Sequence, residues 1–294
     1  MKIVAFERNG APGVGVLSED GASVSPFDLS AGEAAGGVQI LADLAAEGKP
    51  APATGDAISM EGLKPRAPMP RPKRNIFCVG KNYYDHAHEF ANSGFDSSAT
   101  AGAVPKAPII FSKVPETVIA HGEPILQDPA VSIATDYEVE LGVIIGKGGR
   151  GIAKENALDH VWGYTIINDA TARDLQGLHS QWLIGKSQDT FCPMGPVAVT
   201  ADEFNLDDAF VRTWINGEMR QDSNTSLLIF DVPTTIATLA AGITLIPGDV
   251  IATGTPAGVG IGFKPPKYLV PGDVVRMEIE GIGVLENEVR THGG

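Results

Sequence analysis

The run Asp136-Tyr137-Glu138-Val139-Glu140-Leu141-Gly142-Val143 holds two acids two positions apart in a stretch that reads as a strand. Successive strand side chains alternate faces, so Glu138 and Glu140 project from one side. Two carboxylates a few ångströms apart repel each other and need a cation, a shared proton or open water. The apolar neighbours Val139, Leu141, Val143, Ile144 and Ile145 suggest a buried strand. A half-exposed edge strand with solvated acids is the plainer alternative. A third acid, Asp169, ends the run VWGYTIIND, where a strand gives way to a helical turn. Three hard oxygen ligands with no neighbouring His or Cys suit Mg²⁺ or Mn²⁺ in an octahedral shell, not Zn²⁺. Three carboxylates and a divalent cation leave one negative charge, which Lys186 in WLIGKSQD balances before an anionic substrate arrives.

In GKNYYDHAHEF, His86 and Glu89 are three residues apart and share a face of any helical turn, so the carboxylate orients the imidazole. Such a pair activates water as a general base; an incidental pair of surface neighbours is the other reading. His88 points elsewhere. His121, His160, His179 and His292 show no pairing and read as core or surface residues. The glycine-rich run TGTPAGVGIG, residues 253–262, lacks the Gly-Lys-Ser/Thr ending of a phosphate loop and the GxGxxG spacing of a dinucleotide fold. It reads instead as a turn whose backbone and Thr255 hydroxyl line a carboxylate pocket.

The elements that must position these groups are mostly strands. IFCVG, APIIFS, YEVELGVIIG, VWGYTIIND, PMGPVAVT, VRTWING, DVIATGT and DVVRMEIEGIGVLENEV are short β-branched runs bounded by Gly, Pro or Asp. Helices are expected at VPTTIATLAAG, with Pro233 near its start and Gly242 at its end, and in a short turn after Asp169 through TARDLQ. Residues 1–70 read as a small α+β domain, with strands at MKIVAF and VGVLSEDGASVSPF and a helix at VQILADLAAEG. Residues 71–294 read as the catalytic domain. KPRAPMPRPKRN, residues 64–75, puts four prolines and five basic residues in twelve positions, the composition of an extended connector. Residues 85–107 break the strand rhythm and read as a surface loop or an active-site lid.

With Lys+Arg 22 against Asp+Glu 36, the formal net charge of -14 argues against nucleic acid and anionic membranes as partners. Cys78 and Cys192 stand in no paired spacing, so a disulfide framework or zinc site is not expected, and a reducing, cytoplasmic setting is. No signal-peptide core and no apolar run of about 18 residues is present.

The segments VGKNYYDHAHEF, IIFSK, DYEVELGVIIG, GYTIINDATARDLQ, GKSQDTFCPMGP, INGE and PGDVIATGTPAGVG, in this order, resemble the fumarylacetoacetate hydrolase superfamily from about residue 75 to the end. The resemblance implies a β-rich α+β fold, with a β-roll or sandwich-like catalytic domain that usually dimerises. It implies Mg²⁺ or Mn²⁺ on Glu138, Glu140 and Asp169, and a catalytic set of His86, Glu89 and Lys186. His86 and Glu89 would sit on a lid segment, while Arg173, Gln176, Lys186 and Thr255 surround the substrate. Val114, where many members have proline, and the long stretch from Asn92 to Ala107 depart from the family pattern near the substrate's distal half. The expected reaction is hydrolysis of a carbon–carbon bond in a 2,4-dioxo acid such as fumarylpyruvate or maleylpyruvate, a small anionic 2-oxo acid. An oxaloacetate-type decarboxylase and a 2-hydroxymuconate-type isomerase are the alternatives on the same metal-enolate site, and a non-catalytic binding protein is a third.

Overall fold

The computed structural model describes residues 1–91 and 104–293. Most of the stretch from Asn92 to Ala107, read above as part of a loop or lid, lies outside the described residues.

Two sheets form the body of the molecule. The larger runs through strands 58–59, 23–26, 11–17, 2–8, 192–200, 161–168, 139–145, 250–252, 76–80 and 109–113 in that order, so it is open. The smaller runs through 218–224, 210–215, 274–279, 283–291 and 125–127. Most pairings are antiparallel, with a parallel junction between 250–252 and 76–80. The β-rich, two-sheet architecture expected from the sequence is what forms.

Strand Val139–Ile145 shows how the pattern builds the core. Val139, Leu141, Val143 and Ile145 pack into a cluster with Val211, Ile215, Met277 and Ile279 of the smaller sheet. Ile144 points the other way, into a second cluster with Ile167, Met194 and Ala198. Glu140 shares that second face by alternation. The strand lies between Val161–Asn168 and Val250–Ala252, and all of its residues are buried. The edge-strand alternative for its acids therefore fails.

The N-terminal residues contribute to the same sheet, where Lys2 and Ile3 pair with Val199 and Ala198. Strand Lys64–Arg66, inside the supposed connector, pairs with Ala5–Glu7, and Ala67 and Met69 are buried. Prolines spaced through that segment remove donors without preventing edge pairing. The helix expected at VQILADLAAEG is Gln39–Ala46. A second helix, Ala31–Ala35, precedes it and starts in a reciprocal Ser30–Glu33 capping box.

We propose that residues 1–70 and 71–294 are two units sharing one core, because Ile3, Ala5, Val14 and Phe27 join Ile76, Cys78, Ile144 and Met194 in a single cluster. A chain truncated to 71–294 is then expected to aggregate or to lose cooperative melting. A soluble truncation that melts at the full-length temperature would show the units to be independent.

Candidate active site

The acids meet as their spacing suggested. Glu138, Glu140 and Asp169 each offer a carboxylate oxygen, and these oxygens lie within 4.8 Å of one another. Glu138 precedes the strand that carries Glu140, and Asp169 directly follows strand Val161–Asn168. The Asp169 N–H donates to the Glu138 carbonyl at 2.9 Å, which locks the two strand ends together.

Cations close around them. The Lys186 ammonium lies 2.7 Å from Glu138 Oε2 and 2.6 Å from Asp169 Oδ2. Arg173 pairs its Nη2 with Glu138 Oε1 at 2.6 Å and its Nε with Asp136 Oδ2 at 2.8 Å. Lys113, fully buried, sits 2.8 Å from Asp169 Oδ1 and donates to the carbonyls of Ala170 and Lys186. Four buried acids thus face three buried cations in this cluster.

The imbalance falls on Glu140. Burial, then the charges of Asp169 and Glu138, push its carboxyl well above the usual range, against Lys186 and the Gly254 N–H. Burial would raise Glu138 as well, but Lys186, Arg173 and His86 bring it down to about 2. An all-oxygen donor set of three buried carboxylates fits a hard divalent ion. Its 4.8 Å spread is close to the ~3–4 Å edges and diagonals of an octahedral oxygen shell.

The glycine-rich run performs a task that differs in part from the expected one. Its amides serve the protein's own acids: Gly254 N–H donates to Glu140 at 2.7 Å, Gly258 to Glu89 at 3.1 Å, and Gly260 to Asp136 at 2.6 Å. Such approach excludes side chains. A Cβ on Gly262 would lie 1.9 Å from Glu89 Oε1, and one on Gly260 would lie 2.6 Å from Asp136 Oδ1.

Helix Tyr84–Ala91 brings His86 to the pocket wall, with Nδ1 3.3 Å from Glu89 Oε2. The pocket is lined by His86, Glu138, Glu140, Arg173, Gln176, Lys186 and Thr255, with Trp182 and Phe111 as an aromatic side. Every expected site residue except Asp169 and Glu89 lines it; those two stand directly behind lining residues. His88 is exposed.

Four further residues have roles that sequence reasoning missed. Asp136 shares the two-residue alternation of Glu138 and Glu140, a signal that was present. Lys113 ends the apolar run IIFSK, an unusual place for a lysine. Gln221 accepts from Val139 N–H and donates to the Thr255 hydroxyl at 2.8 Å, with no local signal. Lys81 is buried and lines the pocket.

A buried, charge-dense pocket with an acid triad and a His–Glu pair marks the chain as an enzyme. Residues 75–290 match the family described as Fumarylacetoacetate (FAA) hydrolase C-terminal. The chain belongs to the fumarylacetoacetate hydrolase family. It is 48% identical over 232 residues to Oxaloacetate tautomerase YisK of Bacillus subtilis, spanning 79% of this chain and 74% of that protein. Its fold matches a fumarylacetoacetate hydrolase from Exiguobacterium antarcticum with a TM-score of 0.84 and 40% identity, over 99% of this chain and 100% of that one. It also matches 5-carboxymethyl-2-hydroxymuconate delta-isomerase from Mycobacterium smegmatis with a TM-score of 0.79 and 30% identity, over 99% and 100% of the two chains.

Divalent cation binding is expected to expel the Glu140 proton, so affinity should rise with pH until that raised carboxyl ionises unaided. Calorimetric titration of Mn²⁺ in buffers of different ionisation enthalpy, between about pH 6 and 8, measures the proton release. Glu140→Gln should weaken binding by about tenfold or more and abolish the release. Affinity independent of pH would contradict this account.

Proposed function

We propose that the chain is a tautomerase of short 2-oxo dicarboxylates, interconverting the keto and enol forms of an acid of the oxaloacetate type. The observation that carries this reading is the 48% identity over 232 residues to a protein named an oxaloacetate tautomerase. The site supports it, because tautomerisation needs one base and stabilisation of an enolate oxygen, but no catalytic water.

Glu138, Glu140 and Asp169 are the residues proposed to hold Mg²⁺ or Mn²⁺. When bound there, the ion supplies Lewis-acid stabilisation of negative charge on the 2-oxo oxygen. His86 is the proposed base. With Glu89 accepting from Nδ1–H at 3.3 Å, Nε2 is the basic nitrogen, suited to carry a proton to and from C3. Glu89 is itself held by the Gly258 amide, so the imidazole is aimed before substrate arrives. Gln176 accepts from Arg173 Nη1 through its Oε1 at 3.1 Å, which turns its amide N–H₂ to donate to a substrate carboxylate. The Thr255 hydroxyl, already accepting from Gln221, has its own proton to donate. Lys186 adds positive charge beside the developing enolate. Trp182 and Phe111, edge to face at 5.2 Å, wall the pocket against water.

The likeness to the delta-isomerase favours a second reading, proton transfer along a hydroxymuconate-type dienoate by the same base. Acylpyruvate hydrolysis, expected from the sequence, adds attack by water to the same enolate chemistry; the 48% identity to an oxaloacetate tautomerase favours the reaction without it. A homodimer is also proposed, since Ile133 and Leu178 stand 73% and 76% exposed. A monomer in sedimentation velocity would rule it out.

The test follows the ultraviolet absorbance of enol oxaloacetate on mixing with protein and Mg²⁺, Mn²⁺ or EDTA. Metal-dependent decay without release of CO₂ or pyruvate is expected. His86→Ala should slow it by ~10²–10⁴-fold. Stoichiometric CO₂ would instead show a decarboxylase, and pyruvate plus an organic acid from acylpyruvates would show a hydrolase.

A further inference from the structure

Among the described residues, four that are not glycine have positive φ: Asn9, Lys81, Thr190 and Asn216. Asn9 and Asn216 sit exposed at hairpin turns, where asparagine tolerates this conformation. Lys81, at φ 54°, is the buried one of the four, 3% exposed. Its position follows from its neighbours. Gly80 ends strand Ile76–Gly80 against Trp182, where a Cβ would lie 2.7 Å from the indole ring. Asn82 is pinned on the other side, its amide donating to the carbonyls of Thr253 at 2.7 Å and Phe230 at 3.0 Å. Between these anchors the chain must pass through the left-handed region, which glycine adopts at least cost. A lysine there carries backbone strain and gives up solvent for its ammonium. Both costs place its side chain in the wall of the pocket that holds His86, Glu138 and Glu140. Strain retained at a pocket is the pattern of a residue kept for its ligand.

We propose that Lys81 is the specificity-determining residue for the second, distal carboxylate of the substrate. The inference rests on the tautomerase reading for the substrate's identity, and on the geometry above for the residue. A 2-oxo dicarboxylate brings two anionic groups. On that reading the 2-oxo acid end would be met by a cation held on Glu138, Glu140 and Asp169 and by Gln176. Lys81 supplies positive charge from a different element, the turn leading into the His86 helix. It therefore sets selection for dicarboxylates over monocarboxylates and leaves the proton transfer to His86.

The test compares oxaloacetate with 2-oxobutanoate, which has the same four-carbon chain without the distal carboxylate, on the Mg²⁺-loaded full-length protein. Binding is read by calorimetry, and enol decay is read separately. Lys81→Met should weaken oxaloacetate binding about tenfold or more while leaving 2-oxobutanoate within about twofold, and Lys81→Arg should restore most of the difference. Lys81→Gly should show the same loss of discrimination with a melting temperature no lower than that of the wild type, since it relieves the strain. Equal weakening of both ligands, or no change in either, would overturn the assignment. If the wild type accelerates no enol decay yet its preference for the dicarboxylate still depends on Lys81, the tautomerase reading fails and the assignment stands. Enol decay with no dependence of preference on Lys81 gives the reverse.

Discussion

Seven charged side chains, Lys113, Asp136, Glu138, Glu140, Asp169, Arg173 and Lys186, are buried together in one cluster, and each must find a partner there. An isolated ion in such a medium costs several kcal/mol even after relaxation, so none can be left alone. The surrounding structure supplies what they need. Strand ends bring the acids into contact, the two short helices Arg173–Leu178 and Leu183–Lys186 deliver cations, and the glycine-rich run lends its amides. The smaller sheet contributes Gln221, which ties Val139 to Thr255 across the pocket's edge. Three buried carboxylates gathered in one place, with the Glu140 carboxyl pushed well up, are what fits the triad to a divalent cation.

The residues legible from sequence were those whose meaning is local. Glu138 and Glu140 share a face by alternation, His86 and Glu89 share one by helical spacing, and a strand ending in Asp169 announces itself by its apolar run. Even Thr255 could be placed by excluding nucleotide motifs. Strand order was beyond this reading, because the neighbours of Val139–Ile145 come from residues 161–168 and 250–252. The same limit hid the partners of Asp136, Gly260 and Ile261, which are 124 and 125 residues away. Arg173 and Gln176 came from family resemblance, since a helix of six residues with mixed composition carries no chemical signature of its own.

The proline-rich segment at 64–75 shows how composition misleads. Four prolines and five basic residues look like a tether, yet Ala67 and Met69 pack into the second core. What counts there is which few side chains face inward, and a percentage averages them away. The glycine-rich run carries the opposite lesson. Its glycines resemble a ligand loop, but the close approaches at Gly258, Gly260 and Gly262 are to Arg220, Lys267 and Glu89 of the protein itself. The anions that the loop's amides hold are the protein's own carboxylates, Glu140, Glu89 and Asp136.

A buried ion cluster is a poor device for stability, because well-packed apolar residues in its place are often neutral or better. Its retention here is explained by chemistry. The floor beneath the triad makes the same point: Cys78 and Cys192 lie buried in the apolar cluster on Glu140's side of the sheet. Burial, with Asp169 and Glu140 nearby, pushes the Cys78 thiol well up, and burial holds Cys192 at about 12. Both remain uncharged and act as small apolar residues. A low-dielectric floor strengthens every electrostatic interaction above it, including those between Lys186 and the acids it pairs with. The feature that burdens the fold is therefore the one that equips the site, and a cation bound there relieves the first while enabling the second.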